Sequence, residues 1–348
     1  MRVRAAAGTA QCLVGVVMAV FAAAAFVPNA ARAQDPAAFY AGKSVELDIG
    51  YSVGGGYDLY GRLLARHLGR HIPGNPTIVP KNMEGAGSLR LANYLYMAAP
   101  RDGTVIGTVA RGIAFDPLLN ESGAQYDATK LSWLGSANNE VAVCVALKSA
   151  GVTSFDQLYS RSLTIGSTGI ADDTYQFPAV VNAVLGTKFK IVTGYPGGND
   201  VSLAIERGEV DGRCGWSWSS LITTRPAWLA EKKISVLVQM SLAKHPDLQD
   251  VPLIMDMAKT DEEREIFKLI FSRQIMGRPF LAPPLPPERL AVLRKAFDDT
   301  MTDKQFLADA AQNNIEINPV PGTQIQAMIK EGYNTPPDVV KKAGVALR

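Results

Sequence analysis

Residues 44–68 read SVELDIGYSVGGGYDLYGRLLARHL. Ser44 to Tyr51 is a strand-like run in which apolar and polar residues alternate, and it ends in Gly54-Gly55-Gly56. From Asp58 to Leu68 the period changes, with Leu59, Leu63, Leu64 and Leu68 at helical spacing. A strand, a glycine loop and a helix in that order form the repeating unit of α/β proteins.

Working outward, the unit recurs. Thr77 to Val79 is followed by Gly85-Ala86-Gly87 and a helical stretch from Ser88 to Ala99. Leu163 to Gly166 leads through Ser167-Thr168-Gly169 into a helix over 172–185. Ile191 to Thr193 leads through Tyr195-Pro196-Gly197-Gly198 into a helix over 200–206. Further strands are expected at Val105 to Ala110, Val141 to Leu147, Val210 to Cys214 and Ile234 to Gln239. Pro287 suits the first turn of a helix running to Thr300. The alternation predicts an α/β fold with mainly parallel sheets and helices on both faces. At this length the chain is large for one such sheet, so two lobes are expected.

Composition excludes several classes. The chain has 348 residues, 47% apolar and 20% charged, too apolar for a disordered chain. Lys plus Arg is 35 against 33 Asp plus Glu, which leaves no basic excess for nucleic acid. No nucleic-acid partner and no cofactor is expected. Three Cys and three His offer little for a metal cluster, and no metal site is assigned.

The first 33 residues read as a secretory signal peptide. Arg2 and Arg4 precede an apolar run from Leu13 to Val27, and Ala31-Arg32-Ala33 is an A-x-A cleavage pattern. The run is shorter than the roughly 20 residues a membrane span needs. The expected address is the periplasm. Cys12 leaves with the leader, so Cys144 and Cys214 remain either as a disulfide or as two buried thiols.

In open α/β sheets, ligands sit at the carboxyl ends of strands, where helix N-termini present unpaired amides and partial positive charge. Glycine there admits a ligand close to the backbone. The loops Tyr51-Ser52-Val53-Gly54-Gly55-Gly56, Ser167-Thr168-Gly169 and Tyr195-Pro196-Gly197 are therefore candidate seats for an anion. The first is no phosphate loop, because no Gly-Lys-Ser/Thr ends it. Asp58 reads as a first-turn carboxylate that holds this loop in shape. Arg111, just past a strand end, either forks a carboxylate or is a solvated surface residue. Trp216 and Trp218 offer flat walls to a ligand body, at least one of the two being core. Asp172 and Asp173 read as first-turn helix charges.

No catalytic constellation assembles. His67 and His71 stand four apart, but Leu68 occupies the place where H-E-x-x-H needs Glu. No G-x-S-x-G elbow is present. A hydrolase would need Ser52 or Ser167 within reach of His67, His71 or His245. The chain is expected not to be an enzyme.

Taken in order, the segments Gly54-Gly55-Gly56-x-Asp58 with Arg62, Gly85-Ala86-Gly87-Ser88, Arg101-Asp102-Gly103-Thr104, Gly166-Ser167-Thr168-Gly169, Tyr195-Pro196-Gly197-Gly198 and Glu206-Arg207-Gly208-Glu209-Val210-Asp211-Gly212 carry a resemblance. From about Phe39 onward the sequence is similar to the extracytoplasmic solute receptors of the tripartite tricarboxylate transporter family, also called Bug receptors. The resemblance implies a type II periplasmic binding fold, two lobes with a ligand cleft between them. Lobe 1 would comprise 34–136 plus 241–348, and lobe 2 137–240. It implies a monomer that captures a small organic carboxylate and delivers it to membrane permease subunits. An ABC-type permease or a sensor kinase is the alternative partner.

Carried over, the ligand-binding residues would be Tyr51, Ser52, Val53, Gly54, Gly55, Gly56, Arg111, Ser167, Thr168, Gly169, Tyr195, Gly197 and Trp216, with Asp58, Gly87 and Ser88 supporting the site. The sequence departs from the family pattern at three places. Gly50-Tyr51-Ser52-Val53 stands where members often have Pro-Phe/Tyr-Pro, Asn82-Met83-Glu84-Gly85 replaces the usual Asn-Arg-Pro-Gly, and Ile170-Ala171-Asp172-Asp173 follows the second-lobe loop where members more often have Gly-Ser.

Overall fold

A computed structural model describes residues 35–119 and 123–347. The expected leader, residues 1–33 with Cys12, lies outside them.

The opening unit folds as its periodicity predicts. Strand β1 (Ser44–Ile49) buries Val45, Leu47 and Ile49, and the Gly56–Leu68 helix buries Leu63, Leu64 and Leu68 against it. The two elements approach closely at Gly61, where a methyl group would lie 2.9 Å from Ile49 Cδ1.

Two sheets result. One is built from β2 (Thr77–Asn82), β1, β3 (Val105–Thr108), β10 (Pro279–Ala282), β4 (Ser132–Ser136) and β11 (Val320–Pro321), hydrogen-bonded in that order. The other runs β7 (Phe189–Val192), β6 (Leu163–Gly166), β8 (Gly212–Ser217), β5 (Ala142–Leu147) and β9 (Ile234–Met240). Both belong to one compact unit that begins at Pro36. The chain passes from the first sheet to the second between β4 and β5, and back between β9 and β10.

The sheets are mixed rather than mainly parallel. β1 pairs in parallel with β2 and β3, and β6 with β7 and β8. The strands next to the crossings run the other way: β10 is antiparallel to β3 and β4, and β5 is antiparallel to β8 and β9. A chain that leaves one sheet and enters the other arrives from the opposite end, so its strand inserts in reverse. β4 and β11 lack the long apolar run of a buried parallel strand, so periodicity alone does not announce them.

Cys144 on β5 and Cys214 on β8 are joined by a disulfide. The bridge shares a core cluster with Ala142, Ala146, Phe177 and Leu237, while Val143, Val145, Trp216, Trp218 and Trp228 form a separate one. Leu47, Leu64, Phe280 and Phe297 fill a face of the first sheet.

Candidate functional site

Parallel pairing brings the carboxyl ends of β1, β2 and β3 to one edge, since Ile49 is in register with both Asn82 and Thr108. The loops that follow project from that edge. Gly166 and Val192 likewise end β6 and β7 in register, and Ser217 ends β8. The two sets of loops meet. Tyr51 Oη donates to the Asp172 carboxylate, and Ser52 Oγ donates to Asp200. Arg111 Nε donates to Asp173, and its Nη2 donates to Ser217 Oγ at 2.8 Å.

Between the loops lies a cavity of about 30 Å³, lined by Tyr51, Gly55, Gly56, Tyr57, Arg111, Thr168, Asp172, Asp173, Arg213, Trp216, Ser220 and Arg278 among others. Three guanidiniums face it. Arg111 and Arg278 are 2% and 1% exposed, yet Arg111 Nη1, Arg213 Nε and Arg278 Nε are shielded from solvent with no hydrogen-bond partner among the described residues. A buried N–H without an acceptor is costly, the more so when charged. Every such atom on the cavity wall is a donor.

The backbone adds to this positive field. The Gly56–Leu68 and Gly198–Glu206 helices both begin at the cavity, and neither N-cap residue, Gly55 or Gly197, offers a side-chain cap. The amide nitrogens of Gly198 and Asn199 lie 3.7 Å from the position a Gly55 side chain would take. Two positive helix ends thus confront one another, an arrangement that an anion relieves.

The arginines are not equivalent. Arg278 Nη2 lies 2.9 Å from Glu140 Oε1, and Arg111 is paired with Asp173. Burial opposes the charge of Arg111, but Asp173, together with Tyr57, Glu140 and Asp172, more than offsets it and holds the guanidinium above its ordinary value. Arg213 has no ion pair among the described residues; its Nη1 donates to Gly198 O at 3.0 Å, and its guanidinium lies 4.7 Å from the Trp216 ring. Burial pulls it down to about 10. Tyr51 and Tyr57 stack with ring centroids 4.6 Å apart, and burial raises both phenols.

Of the residues expected to bind ligand, Tyr51, Gly55, Gly56, Arg111, Thr168 and Trp216 line this cavity. Others stand elsewhere. Val53 is 62% exposed at the loop tip, outside the lining. Gly54 donates its amide to Asp58 at 2.9 Å. Ser52 and Gly197 are spent on each other's loops, since a methyl on Gly197 would lie 3.2 Å from Ser52 N. Ser167 Oγ pairs with Thr174 Oγ1 at 3.0 Å, and Gly169 abuts the Ala86–Gly87 peptide. Tyr195 turns toward Glu209, and burial raises its phenol.

The supporting residues have definite partners. Asp58 accepts from Gly54 N, Arg62 Nε and Asn82 Nδ2, all at 2.9 Å, and so fixes the first loop. Ala110 N donates to Ser88 Oγ at 2.7 Å, and Ser88 has φ 68°. Gly87 has φ 63°, and a methyl there would lie 2.8 Å from Asp172 Cβ.

Sequence reasoning missed Arg278 and Ser220 altogether. The signal for Arg278 was a lone charge beside the apolar run Pro279-Phe280-Leu281-Ala282. Asp172 does cap its helix, with Thr174 N donating to it at 2.8 Å, but the same carboxylate also faces the cavity.

The serines and histidines of a hydrolase are apart. His67 bonds to Asp309 and His71 to Asp303, each at 2.7 Å. His245 Nδ1 accepts from Asp247 N at 3.1 Å.

No protein-family model matches the chain. No curated protein does either. Solved structures do. The periplasmic binding protein BugD superposes with a TM-score of 0.70 at 19% identity, over 88% of this chain and 99% of that one. R. palustris Rpa4515 with adipate gives 0.67 at 19%, over 87% and 98%. MatC from Rhodopseudomonas palustris with bound malate gives 0.66 at 17%, over 86% and 99%. The fold of this chain is that of the type II periplasmic binding proteins, two α/β lobes with a cleft between them.

Proposed function

We propose that the protein is a periplasmic solute receptor of the Bug type, which captures a small organic carboxylate between its lobes and hands it to a tripartite tricarboxylate-type permease. The observation that carries this reading is the cavity wall: Arg111, Arg213 and Arg278 line it, each with a buried N–H that has no partner among the described residues, and two helices begin there. Carboxylate oxygens are the acceptors such a wall lacks. Similarity in fold to proteins solved with adipate and with malate supports the same class of ligand.

The sites of the sheet crossings suggest lobes of residues 34–136 plus 241–348 and of 137–240. About 30 Å³ holds a water molecule or two, so an organic acid enters as these lobes part and is enclosed as they close. Contacts from both lobes then favour the closed state. Binding rather than catalysis fits the hydroxyls, because Ser52 and Ser167 are engaged with Asp200 and Thr174 rather than with a histidine.

Thermal-shift titration of the mature protein with a panel of carboxylates, amines and sugars tests the proposal. A carboxylate raises the midpoint by several degrees. Stabilisation by amines or sugars alone rejects it.

A further inference from the structure

Burying a charge requires a partner, and the cavity wall shows which of its charges have one. Asp173 matches Arg111 and also stands 3.5 Å from Arg273 Nη1, two guanidiniums that oppose the upward push burial gives its carboxyl. Glu140 matches Arg278. Arg213 remains without a carboxylate partner among the described residues, and its Nε is shielded and unbonded. The strongest negative charge acting on Arg213 is that of Asp172, which makes no ion pair with it. Asp172 accepts from Tyr51 Oη, from Thr174 N at 2.8 Å and from Thr174 Oγ1 at 2.6 Å, with no arginine bonded to it.

From this pairing we infer that the site is built for acids with one carboxylate, that Arg213 is the counter-ion of that carboxylate, and that Asp172 and Asp173 exclude a second. The inference rests on the carboxylate-receptor reading above and narrows its ligand class. A diacid seated on Arg213 would bring its other charge toward Asp172 and Asp173, where the charge of Arg111 is already offset by Asp173 although its Nη1 is unbonded. Like charges in a dry site repel strongly, because water no longer screens them. The rest of the lining suits an uncharged body: the stacked Tyr51 and Tyr57 rings, Trp216 and the bare backbone of Gly215.

The test is a calorimetric comparison of acids matched in body and differing in one carboxylate, at pH 7.5. Straight-chain monoacids are set against diacids of equal length, and benzoate against terephthalate. The best monoacid is expected to bind at least tenfold tighter than its diacid. Arg213→Gln weakens that monoacid at least tenfold, with circular dichroism unchanged. Asp173→Asn frees Arg111 and moves the monoacid-to-diacid ratio at least tenfold toward the diacid. The wild-type comparison needs no variant, so it stands even if Asp173→Asn does not fold. A wild-type protein that prefers the diacid, or an Arg213→Gln variant within twofold of wild type, overturns this inference while leaving the receptor reading intact. Failure to bind any acid overturns the receptor reading itself.

Discussion

Gly169, in the loop after β6, lies flat against the peptide joining Ala86 and Gly87 in the loop after β2. A Cβ at residue 169 would stand 2.6 Å from both Ala86 C and Gly87 N, far inside van der Waals contact. Both partners are backbone atoms and cannot swing aside. This contact joins the two halves of the molecule at the rim of the cavity, so the loops can come together only without a side chain here.

Gly169→Ala is therefore expected to hold the lobes apart without unfolding either one. Ligand affinity should fall at least tenfold, about 1.4 kcal/mol. Circular dichroism should be unchanged, and small-angle scattering with ligand should show a larger radius of gyration than wild type. An unaltered affinity would mean that closure does not run through this contact.

The pair of Arg111 and Asp173 is 2% and 4% exposed at its side chains. Removing Arg111 leaves the buried Asp173 only the more distant Arg273 Nη1, 3.5 Å away, as a cationic partner. Arg111→Ala should cost about 3–5 kcal/mol in denaturant unfolding. Arg111→Met combined with Asp173→Leu should recover only part of that loss, because the buried Arg273 then loses its carboxylate partner. A double variant no more stable than Arg111→Ala would show that the pair's cost lies in packing.

The disulfide between Cys144 and Cys214 crosses adjacent strands and closes a loop of sequence separation 70. Its removal by Cys144→Ala with Cys214→Ala should lower stability by about 2–5 kcal/mol. Urea titration with and without reductant checks this: wild type should lose a similar amount on reduction, and the double variant nothing.

Asp48 on β1 is 1% exposed, and its Oδ2 lacks a hydrogen-bond partner among the described residues. Burial, reinforced by the nearby Glu46 charge, pushes its carboxyl up to about 7. The folded state thus holds a proton that the unfolded chain releases near pH 4. The stability from neutral Asp48 is full below that pH and is lost as pH rises through 7. Asp48→Asn should then be more stable than wild type at pH 8 by on the order of 2 kcal/mol, with little difference at pH 4. Parallel melting curves at the two pH values decide it.

Much of the first lobe's loop chemistry was legible in the chain. Leu63, Leu64 and Leu68 mark a helix face, Gly54-Gly55-Gly56 marks a turn, and Asp58 sits where a carboxylate fixes that turn. Arg278 was not legible, because its neighbours in sequence are strand residues and its neighbours in space, Glu140 and Ser220, are distant along the chain. The double role of Asp172 was hidden for a related reason. Capping is a local interaction that spacing reveals, whereas its bond to Tyr51 spans 121 residues.

Local order alone determined the strand-loop-helix units and marked the loops that are candidate anion seats. It left the pairing of Cys144 open, because two cysteines 70 apart in sequence say nothing of their distance in space. Tertiary structure decided the rest: the reversed strands β5 and β10, the disulfide, and which arginine keeps its charge unmatched. The physical reason is that hydrophobic period and turn chemistry act over a few residues, while charge pairing in a dry cavity depends on which distant segments the fold brings within 3 to 4 Å.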